Sequence, residues 1–390
     1  MVVIGMISGT SIDAIDVAAA RFHQSGDELT LACLAHAERP WPPETRARLL
    51  AALPPASVTM AEICALDVLV AEAFAAAAID VIPTLSEPPD LICSHGQTVF
   101  HWVEHGKARG TLQLGQPAII AEATGLPVVS DLRARDIAAG GQGAPLASTL
   151  DALWLAGPGG PRAALNLGGI ANLTIVGAPG DPVTAYDTGP ASCLLDLEAA
   201  RLTQGSQTCD IDGRLALQGA IRPDLLASLL ADPYYARHPP KSTGRELFDR
   251  AYLQPHLAGL PPITGPDLMA TLTELTARTI AGACARHRVT EIVVSGGGVR
   301  NPALMQALRR ALTPAPLIEA DHRGLPADAK EAYLVALLGY LTWHGHDGTV
   351  PGATGAAAPR ILGQLTPGST SLRLPAPQPP PRTLRLTTPS

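Results

Sequence analysis

One stretch decides the fold: Pro161-Arg162-Ala163-Ala164-Leu165-Asn166-Leu167-Gly168-Gly169-Ile170-Ala171-Asn172-Leu173-Thr174-Ile175-Val176. It reads as an apolar strand, a turn made of two glycines and a second apolar strand. The same layout occurs near the N-terminus in Val2–Ala20, where the turn is Ser8-Gly9-Thr10-Ser11. Because two distant segments repeat one layout, the sequence predicts an internal duplication, with one ligand held between two similar domains.

Both turns are candidates for binding phosphate. Backbone N–H groups and hydroxyls at the tip of such a hairpin can surround an anion. Many ordinary hairpins also turn through Gly and Ser, so the first turn alone is equally consistent with a structural role. The duplication favours the phosphate interpretation, because both halves carry a turn of this kind.

A second polar stretch, Tyr186–Ser192, follows a predicted strand at Pro182–Ala185 and precedes a predicted helix that begins at Cys193. Helix N-termini leave backbone N–H groups unpaired and attract anions. Asp187 in this stretch is a candidate general base on a rigid support. The alternative is that Asp187 only caps the following helix.

Two further polar segments directly follow predicted strands. The strand Leu91–Cys93 leads into Ser94–Thr98, and the strand Glu291–Val294 leads into the glycine-rich Ser295–Pro302. Open α/β sheets bind ligands at the carboxyl ends of their strands. The side chains of the first segment suit a sugar or an amide, and three glycines in the second allow close approach of a flat ligand.

Two loops carry paired cations. Arg133 and Arg135 precede the glycine-rich loop Ala138–Pro145, which we expect to be flexible. They could grip a carboxylate or a phosphate, or belong to a charged linker between domains. Lys241 and Arg245 lie in a second loop, where a structural and a site-lining role are equally consistent with the sequence.

Composition excludes several classes of protein. The chain of 390 residues carries a formal net charge of −7, and its only lysines are Lys107, Lys241 and Lys330. No concentrated basic face is visible, so we expect no nucleic-acid binding. No apolar segment reaches the length of about 20 residues that a membrane helix needs, so no membrane partner is expected. The six cysteines are scattered without a CxxC pair, which favours a reduced, cytoplasmic protein.

The motifs together, in this order, resemble the anhydro-N-acetylmuramic acid kinases, a family of the actin, sugar-kinase and Hsp70 superfamily. The resemblance extends from Ile4 to about Leu365. Seven motifs carry it, namely Gly5–Ser11, Ser94–Thr98, Asp131–Pro145, Asn166–Leu173, Asp187–Pro190, Pro240–Glu246 and Gly296–Gly298. Each motif alone is weak, whereas seven in register are very specific.

The resemblance implies an α/β fold with two actin-like (ribonuclease H-like) domains around a central cleft. We expect an N-terminal domain at residues 1–132, a C-terminal domain at residues 133–370, and a Pro-rich disordered tail at residues 371–390. The tail is expected because Pro375–Pro381 has a polyproline composition.

The resemblance also implies an activity. ATP and water would convert a 1,6-anhydro amino sugar, 1,6-anhydro-N-acetylmuramic acid, into N-acetylmuramic acid 6-phosphate and ADP during cell-wall recycling, with Mg²⁺ as cofactor. Asp187 matches the family's catalytic aspartate, which would take a proton from the attacking water. The alternatives are a kinase for another 1,6-anhydrosugar, such as levoglucosan, and a non-catalytic ATP-binding protein of the same fold. A homodimer is left open.

The resemblance carries over to further site residues. Those implied for ATP binding are Ser8, Gly9, Thr10, Ser11, Ile12, Asp13, Ala14, Ile15, Asp16, Asn166, Gly168, Gly169, Gly296, Gly297, Gly298 and Asn301. Those implied for substrate binding are Ser94, His95, Gln97, Thr98, Arg133, Gly189 and Glu331. Asp13 is implied as a metal ligand.

The sequence departs from the family and superfamily patterns at three places. Ile7 lies near the point where the wider superfamily has a metal-binding aspartate. Asp13-Ala14 replaces a frequent Asp-Gly pair, and Ala191-Ser192 replaces a frequent Gly-Asn pair. These differences affect local contacts and not the class of protein.

Overall fold

The computed structural model describes residues 1–239 and 241–387. In that part of the chain, thirteen strands form two sheets. The strands are β1 (Val2–Ser8), β2 (Ala14–Ser25), β3 (Glu28–Pro40), β4 (Leu91–Glu104), β5 (Lys107–Leu114), β6 (Val128–Ser130), β7 (Arg162–Leu167), β8 (Ile170–Val176), β9 (Thr184–Pro190), β10 (Glu291–Ser295), β11 (Leu317–Glu319), β12 (Gln364–Thr366) and β13 (Thr383–Thr387).

Fourteen α-helices accompany these strands within the described residues. They are α1 (Pro43–Ala52), α2 (Met60–Val81), α3 (Pro117–Thr124), α4 (Ala134–Ala138), α5 (Ala147–Leu155), α6 (Cys193–Leu202), α7 (Arg214–Leu217), α8 (Pro223–Leu230), α9 (Pro233–Ala236), α10 (Arg250–Leu257), α11 (Gly265–Arg286), α12 (Pro302–Leu312), α13 (Lys330–Trp343) and α14 (Pro351–Thr354). Among them, none is both long and apolar enough to span a bilayer.

The two sheets repeat one topology. The first contains the order β3-β2-β1-β4-β6, and the second has the order β9-β8-β7-β10-β11. In each, the first three strands are antiparallel and the remaining two run parallel to the central strand. This is the strand order of a ribonuclease H-like fold, so the predicted duplication and the α/β fold class are confirmed.

The chain divides into two units, with boundaries that differ from the predicted ones. Unit 1 comprises Met1–Trp154 and Gly324–Ser390, and unit 2 comprises Leu155–Arg323. The predicted boundary after residue 132 is corrected for two reasons. Leu146 and Leu150, just before and within α5, belong to a core cluster of unit 1. Helix α13, far along the chain, packs on β1 and β2 of the same unit.

The two faces of the first sheet bury different residues because side chains alternate along a strand. Val3 of β1 belongs to the cluster that contains α13, whereas Ile4 belongs to the cluster that contains α2. Gly5 allows α13 to approach closely, because a Cβ there would clash with the Ala332 carbonyl oxygen. The glycine of the first motif is therefore required for packing in this unit.

Unit 2 has two core clusters of its own. One lies between β7, β8 and β10 and the helices α11 and α12, and the other joins α6, α8, α10 and the first half of α11. All buried members of both clusters come from unit 2. This core supports β7, β8 and β9, which carry the second turn and Asp187.

The end of the chain is not the disordered tail that its composition predicts. Strand β13 pairs in parallel with β3, with Leu384 opposite Leu29. The Leu384 side chain is buried in the first core cluster of unit 1. Pairing with the exposed edge of β3 satisfies the backbone N–H and C=O groups of β13. A strand can therefore follow the proline run. Residue 240 and residues 388–390, which belong to a predicted motif and to the predicted tail, lie outside the described residues.

Two strands are longer than predicted, and this changes where site residues lie. Strand β4 continues past Cys93 to Glu104 because β5 pairs with it, so Ser94–Thr98 lies within a strand and not after one. Strand β9 runs to Pro190 because β8 pairs with it along that length, so Asp187 lies inside the strand.

Candidate active site

Asp187 is held by hydrogen bonds to both of its carboxylate oxygens. The Asn172 amide donates to Oδ1 at 3.0 Å, and the backbone N–H of Thr243 donates to Oδ2 at 2.9 Å. Asn172 stands directly opposite Asp187 in the β8–β9 register. The alternative that Asp187 caps the following helix is wrong, because α6 has Ser192 at its N-cap and Asp187 bonds elsewhere.

The surroundings of Asp187 shift the pKa of its carboxyl in opposing directions. Burial raises the pKa of its carboxyl, while the hydrogen bonds from Asn172 and Thr243 and the charge of Lys241 oppose that shift. A carboxylate with a raised pKa takes up a proton more readily than an exposed one, and here its direction is fixed as well. The arrangement can therefore position a carboxylate for proton abstraction.

Two residues of one loop, Lys241 and Thr243, contact Asp187. The Asp187 N–H donates to the Lys241 carbonyl at 3.3 Å, in addition to the Thr243 contact. The Lys241 ammonium bonds the Tyr234 carbonyl at 3.1 Å and lies 4.4 Å from the Tyr234 ring centroid. The Tyr234 hydroxyl in turn donates to the Asp187 carbonyl at 2.8 Å. Side chain and backbone of Asp187 are thus fixed by one surrounding network.

The turn Gly168–Gly169 is tied to the start of α6. The N–H groups of Ala191 and Cys193 donate to the Gly169 carbonyl, and that of Ser192 donates to the Gly168 carbonyl. These donors were expected to face a phosphate, and the structure corrects that expectation because the turn carbonyls already occupy them. The turn itself is rigidly held as a result.

A cavity of about 470 Å³ lies beside this turn. Its lining includes Gly168, Gly169, Gly297, Gly298 and Asn301. It thus brings together five of the residues expected to bind ATP, all within unit 2.

The three glycines after β10 have different roles. Gly296 has a φ of 91°, and a Cβ there would lie 2.5 Å from the Asn166 Oδ1, which places Asn166 against this turn. A Cβ on Gly298 would lie 2.7 Å from the Leu167 Cβ, whereas one on Gly297 would meet nothing within 4 Å. Only Gly297 faces open space. Asn301 caps α12 by accepting a hydrogen bond from the Leu304 N–H at 3.1 Å.

In unit 1, the turn between β1 and β2 is exposed at Thr10 and Ser11 and anchored at its base. The Trp41 indole donates to the Ser8 hydroxyl at 3.2 Å, and the Gln97 amide donates to the Gly9 carbonyl at 3.1 Å. The residues expected to bind ATP that follow this turn divide between core and surface. Ile12 and Ile15 are fully buried in the core, Ala14 is partly buried, and Asp13 is exposed.

The segment Ser94–Thr98 contains buried polar atoms without partners. Among the described residues, the Ser94 hydroxyl and the Gln97 Oε1 have no hydrogen-bond partner. The Thr98 hydroxyl accepts a hydrogen bond from Gln113 at 3.1 Å. Buried polar groups are normally paired, so the two orphaned atoms indicate where a polar ligand would bind.

His95 and Arg133 are joined by a hydrogen bond. The Arg133 Nε donates to the His95 Nε2 at 2.8 Å, and its Nη1 donates to the Gly143 carbonyl at 2.7 Å. Burial and, secondarily, the charge of Arg133 lower the pKa of His95 to about 3, so the ring is neutral and its Nε2 accepts. The predicted flexible loop is held as well, because buried Asp136 accepts from the Gly143 N–H at 2.7 Å.

The remaining expected residues are spread over both units. Burial, together with the charges of Glu38 and of exposed Glu331, raises the pKa of Asp16 to about 6. Gly189 does not face open space, because a Cβ there would lie 2.8 Å from the Tyr235 ring. Within the described residues, no group of three Asp, Glu, His or Cys side chains could hold a metal ion. The Asp13 Oδ1 forms an exposed ion pair with the Arg46 Nη2 at 3.6 Å.

Sequence reasoning missed Asn172, Thr243 and Tyr234 as neighbours of Asp187. Asn172 could have been found from strand pairing, because it lies in a repeated motif on the strand next to β9. Thr243 and Tyr234 carry no such signal, since they lie in a loop and a short helix that are separated from Asp187 by 56 and 47 residues, respectively.

Comparison with known proteins gives a consistent family. A family model described as anhydro-N-acetylmuramic acid kinase matches residues 1–368. A protein of that name from Streptomyces avermitilis is 54% identical over 96% of this chain and 97% of its own length. Its counterpart from Streptomyces coelicolor is 51% identical over 99% of both chains. Among solved structures, xylulose kinase from Rhodospirillum rubrum is 15% identical with a TM-score of 0.48, over 87% of this chain and 90% of its own.

Proposed function

The chain belongs to the anhydro-N-acetylmuramic acid kinase family, and we propose that Asp187 is the general base of its reaction. The protein is an ATP-dependent phosphotransferase that opens the 1,6-anhydro ring of 1,6-anhydro-N-acetylmuramic acid and phosphorylates O6. The products are N-acetylmuramic acid 6-phosphate and ADP, which fits a role in recycling of the cell wall. One observation carries the assignment of the base: both oxygens of the partly buried Asp187 carboxylate accept hydrogen bonds from neutral donors.

The proposed step at Asp187 balances as follows. The carboxylate takes a proton from a water molecule, whose oxygen forms a bond to the anomeric carbon of the sugar. The bond from that carbon to O6 breaks, and O6 forms a bond to the γ-phosphorus of ATP. The bond from this phosphorus to the bridging oxygen breaks, and ADP leaves. The donors to Asp187 orient its carboxylate and favour its charged form, because each donates a hydrogen bond to a carboxylate oxygen.

We propose that the nucleoside of ATP binds in the 470 Å³ cavity of unit 2. Support comes from Gly297, where the space that a Cβ would fill is open, and from the glycine turn Gly168–Gly169 on the cavity wall. In unit 1, the exposed turn Gly9–Ser11 is the proposed second phosphate contact, since a Cβ on Gly9 would meet only the Ser11 hydroxyl at 3.7 Å.

Mg²⁺ is part of the proposal. When bound, it would neutralise charge on the transferring phosphoryl group. The described residues offer no cluster of three ligands. This agrees with a Mg²⁺ ion held mainly by phosphates and water, with one or two protein carboxylates. The exposed carboxylate of Asp13 is the proposed protein ligand.

For the sugar, we propose contacts from Ser94, Gln97 and Arg133. The orphaned hydroxyl of Ser94 and the orphaned Oε1 of Gln97 support this assignment, because a polyhydroxylated ligand would satisfy both. Arg133, held by His95, is suited to a carboxylate, and the lactyl group of the proposed substrate carries one. Thr98, Gly189 and Glu331 also stay proposed sugar contacts, but no unpaired buried polar atom among the described residues supports them. A cytoplasmic location and a homodimer likewise stay proposals.

The test is ADP release with a panel of sugars. We expect turnover with 1,6-anhydro-N-acetylmuramic acid, and a product whose mass includes one water and one phosphoryl group. Levoglucosan, which lacks the N-acetyl and lactyl groups, is the matched control and should be turned over far more slowly. Faster turnover of levoglucosan would favour the alternative anhydrosugar kinase, and ATP binding without any sugar-dependent ADP release would favour a non-catalytic protein.

A further inference from the structure

Arg245 lies directly on the glycine turn that lines the cavity of unit 2. A Cβ atom on Gly169 would lie 2.8 Å from the Arg245 Nε and 3.1 Å from its Nη2. Gly169 is not among the glycines with a positive φ, so its backbone does not require glycine. The absence of a side chain there instead leaves the room that the guanidinium group occupies.

The charge of Arg245 is not neutralised locally. Among the described residues, no carboxylate oxygen lies within 4.0 Å of its nitrogens. Asp196 is close enough to feel the charge of Arg245: burial raises the pKa of Asp196, and the positive charge of Arg245 opposes that shift. The Asp196 carboxylate, however, already accepts a hydrogen bond from the Ser192 hydroxyl at 2.8 Å. An exposed guanidinium group beside the glycine turn, with no ion pair of its own, is free to bind an anion.

The other cation of this loop is committed elsewhere. The Lys241 ammonium bonds the Tyr234 carbonyl and lies over the Tyr234 ring. Between the two cations, the Thr243 N–H donates to Asp187. One short loop therefore supports the carboxylate at one end and presents a guanidinium group to the glycine turn at the other.

We propose that Arg245 is a catalytic residue that binds the phosphoryl group during its transfer from ATP to the sugar oxygen. This inference rests on the proposed function and adds a residue to it. A planar guanidinium group can donate two parallel hydrogen bonds to phosphate oxygens and neutralise the charge that develops there. Because the same loop holds Asp187, ring opening and phosphoryl transfer share one structural support.

The first experiment replaces the guanidinium group. Arg245→Gln should lower kcat by about 10²–10³-fold, since arginines that stabilise phosphoryl transfer contribute about 10³–10⁵-fold when fully desolvated and this one is exposed. The KM for the sugar should change little. Arg245→Lys should recover only part of kcat, because an ammonium group is a point charge without the planar fork. Arg250→Gln, which removes an exposed arginine from the nearby helix α10, is the matched control and should leave kcat unchanged.

A second readout separates catalysis from a structural role. The affinity of each variant is measured for ADP alone and for ADP with aluminium fluoride, which mimics the transferring phosphoryl group. Arg245→Gln should keep the affinity for ADP and lose the additional affinity that aluminium fluoride gives the wild type. Equal loss of both affinities, or a kcat within threefold of the wild type, would overturn the proposal. This measurement needs no sugar turnover, so it judges Arg245 even if the proposed substrate proves wrong.

A double-mutant cycle tests the geometry. Gly169→Ala should displace the guanidinium group, because the new methyl would lie 2.8 Å from the Arg245 Nε. The variant should fold, since the displaced atoms are the end of an exposed side chain. If Gly169→Ala acts through Arg245, it should lower kcat in the wild type but add little in the Arg245→Gln background. Additive losses would show that the two residues act independently and would contradict the proposed placement.

Discussion

At the scale of single residues, Asp187 is the first test. Asparagine at this position keeps the size of the side chain and one acceptor for the Thr243 N–H, but it cannot take a proton. We expect Asp187→Asn to be folded, to bind ATP and sugar, and to lose about 10²–10⁴-fold in kcat, the usual effect of losing a general base. Steady-state kinetics and calorimetric binding measure both effects.

The control for this variant is Asp181→Asn. Asp181 lies in an exposed turn of the same unit, where its carboxylate accepts only the Ala178 N–H among the described contacts. Its replacement should leave kcat within error of the wild type. Near-normal turnover by Asp187→Asn would return Asp187 to a structural role and leave the base unidentified.

Asp16 gives a second prediction, on pH. Burial raises its folded-state pKa from 3.8 to about 6. Folding therefore takes up a proton in this window, and the stability of the wild type falls relative to Asp16→Asn as the pH rises from about 4 to about 6. Midpoints of urea unfolding at several pH values measure the difference. Parallel pH profiles of the two proteins would contradict the raised pKa.

The sequence identified Asp187 as a candidate but not what holds it. An aspartate near a Gly-Pro turn between strand and helix is visible in the pattern, whereas its partners depend on register and on a distant loop. The pattern also suggested a helix cap, and the structure excludes this because β9 extends past Asp187. Local sequence shows which residue types are present, and long-range packing decides which of them meet.

At the scale of elements, the turn after β10 makes a sharp prediction. Gly297 faces open space, so Gly297→Val should fold normally while its side chain enters the proposed nucleoside site. We expect the KM for ATP to rise about tenfold or more, which corresponds to about 1.4 kcal/mol, with little change in the KM for the sugar. Initial rates at varied ATP and varied sugar measure both constants.

The neighbouring glycine is the control for that variant. Gly298→Ala would bring a methyl within 2.7 Å of the Leu167 Cβ, so it should destabilise unit 2 instead of acting only on ATP. Equal increases in both KM values for Gly297→Val would contradict the assignment of this turn to the nucleoside.

Strand β13 provides the next prediction. The Leu384 side chain is buried in a core cluster opposite Leu29 of β3. Leu384→Ala should therefore lower the free energy of unfolding by about 2–3 kcal/mol, toward the low end for such truncations because it lies at a sheet edge. Arg385→Gln removes an exposed ion pair with Glu28 and an exposed, long hydrogen bond to Thr30, and it should cost less than about 1 kcal/mol. Similar small effects of both changes would mean that β13 contributes little to the fold.

The elements show why the ends of strands were predicted poorly. The core segments of β1, β4 and β10 follow from apolar runs, and they lie where the sequence placed them. The later parts of β4 and β9 are strands because their backbones pair with β5 and β8. Their polar side chains give no sign of this pairing in the sequence. Strand β13 was not predicted because the proline-rich segment just before it dominates the composition of this part of the chain.

At the scale of the whole molecule, the duplication was predictable because both hairpins carry the same strand, turn and strand pattern. The boundaries were not, since the chain returns to unit 1 after residue 323. Helix α13 covers one face of the first sheet. It lies about 200 residues or more after strands β1, β2 and β4 in the chain, and no local sequence signal assigns it to their sheet. Unit 2 is therefore a continuous insertion within a discontinuous unit.

This organisation leads to the last prediction. Unit 2, Leu155–Arg323, is one continuous segment whose two core clusters use only its own residues. We expect the excised segment to unfold cooperatively, because a domain with its own core can fold alone. It should bind adenine nucleotide more weakly than the full chain, since the proposed phosphate contact of Gly9–Ser11 is missing, and it should show no sugar-dependent ADP release. The same segment with Gly297→Val is the control and should lose nucleotide binding while keeping its unfolding midpoint. A folded segment that binds no nucleotide would argue against a nucleoside site built by unit 2.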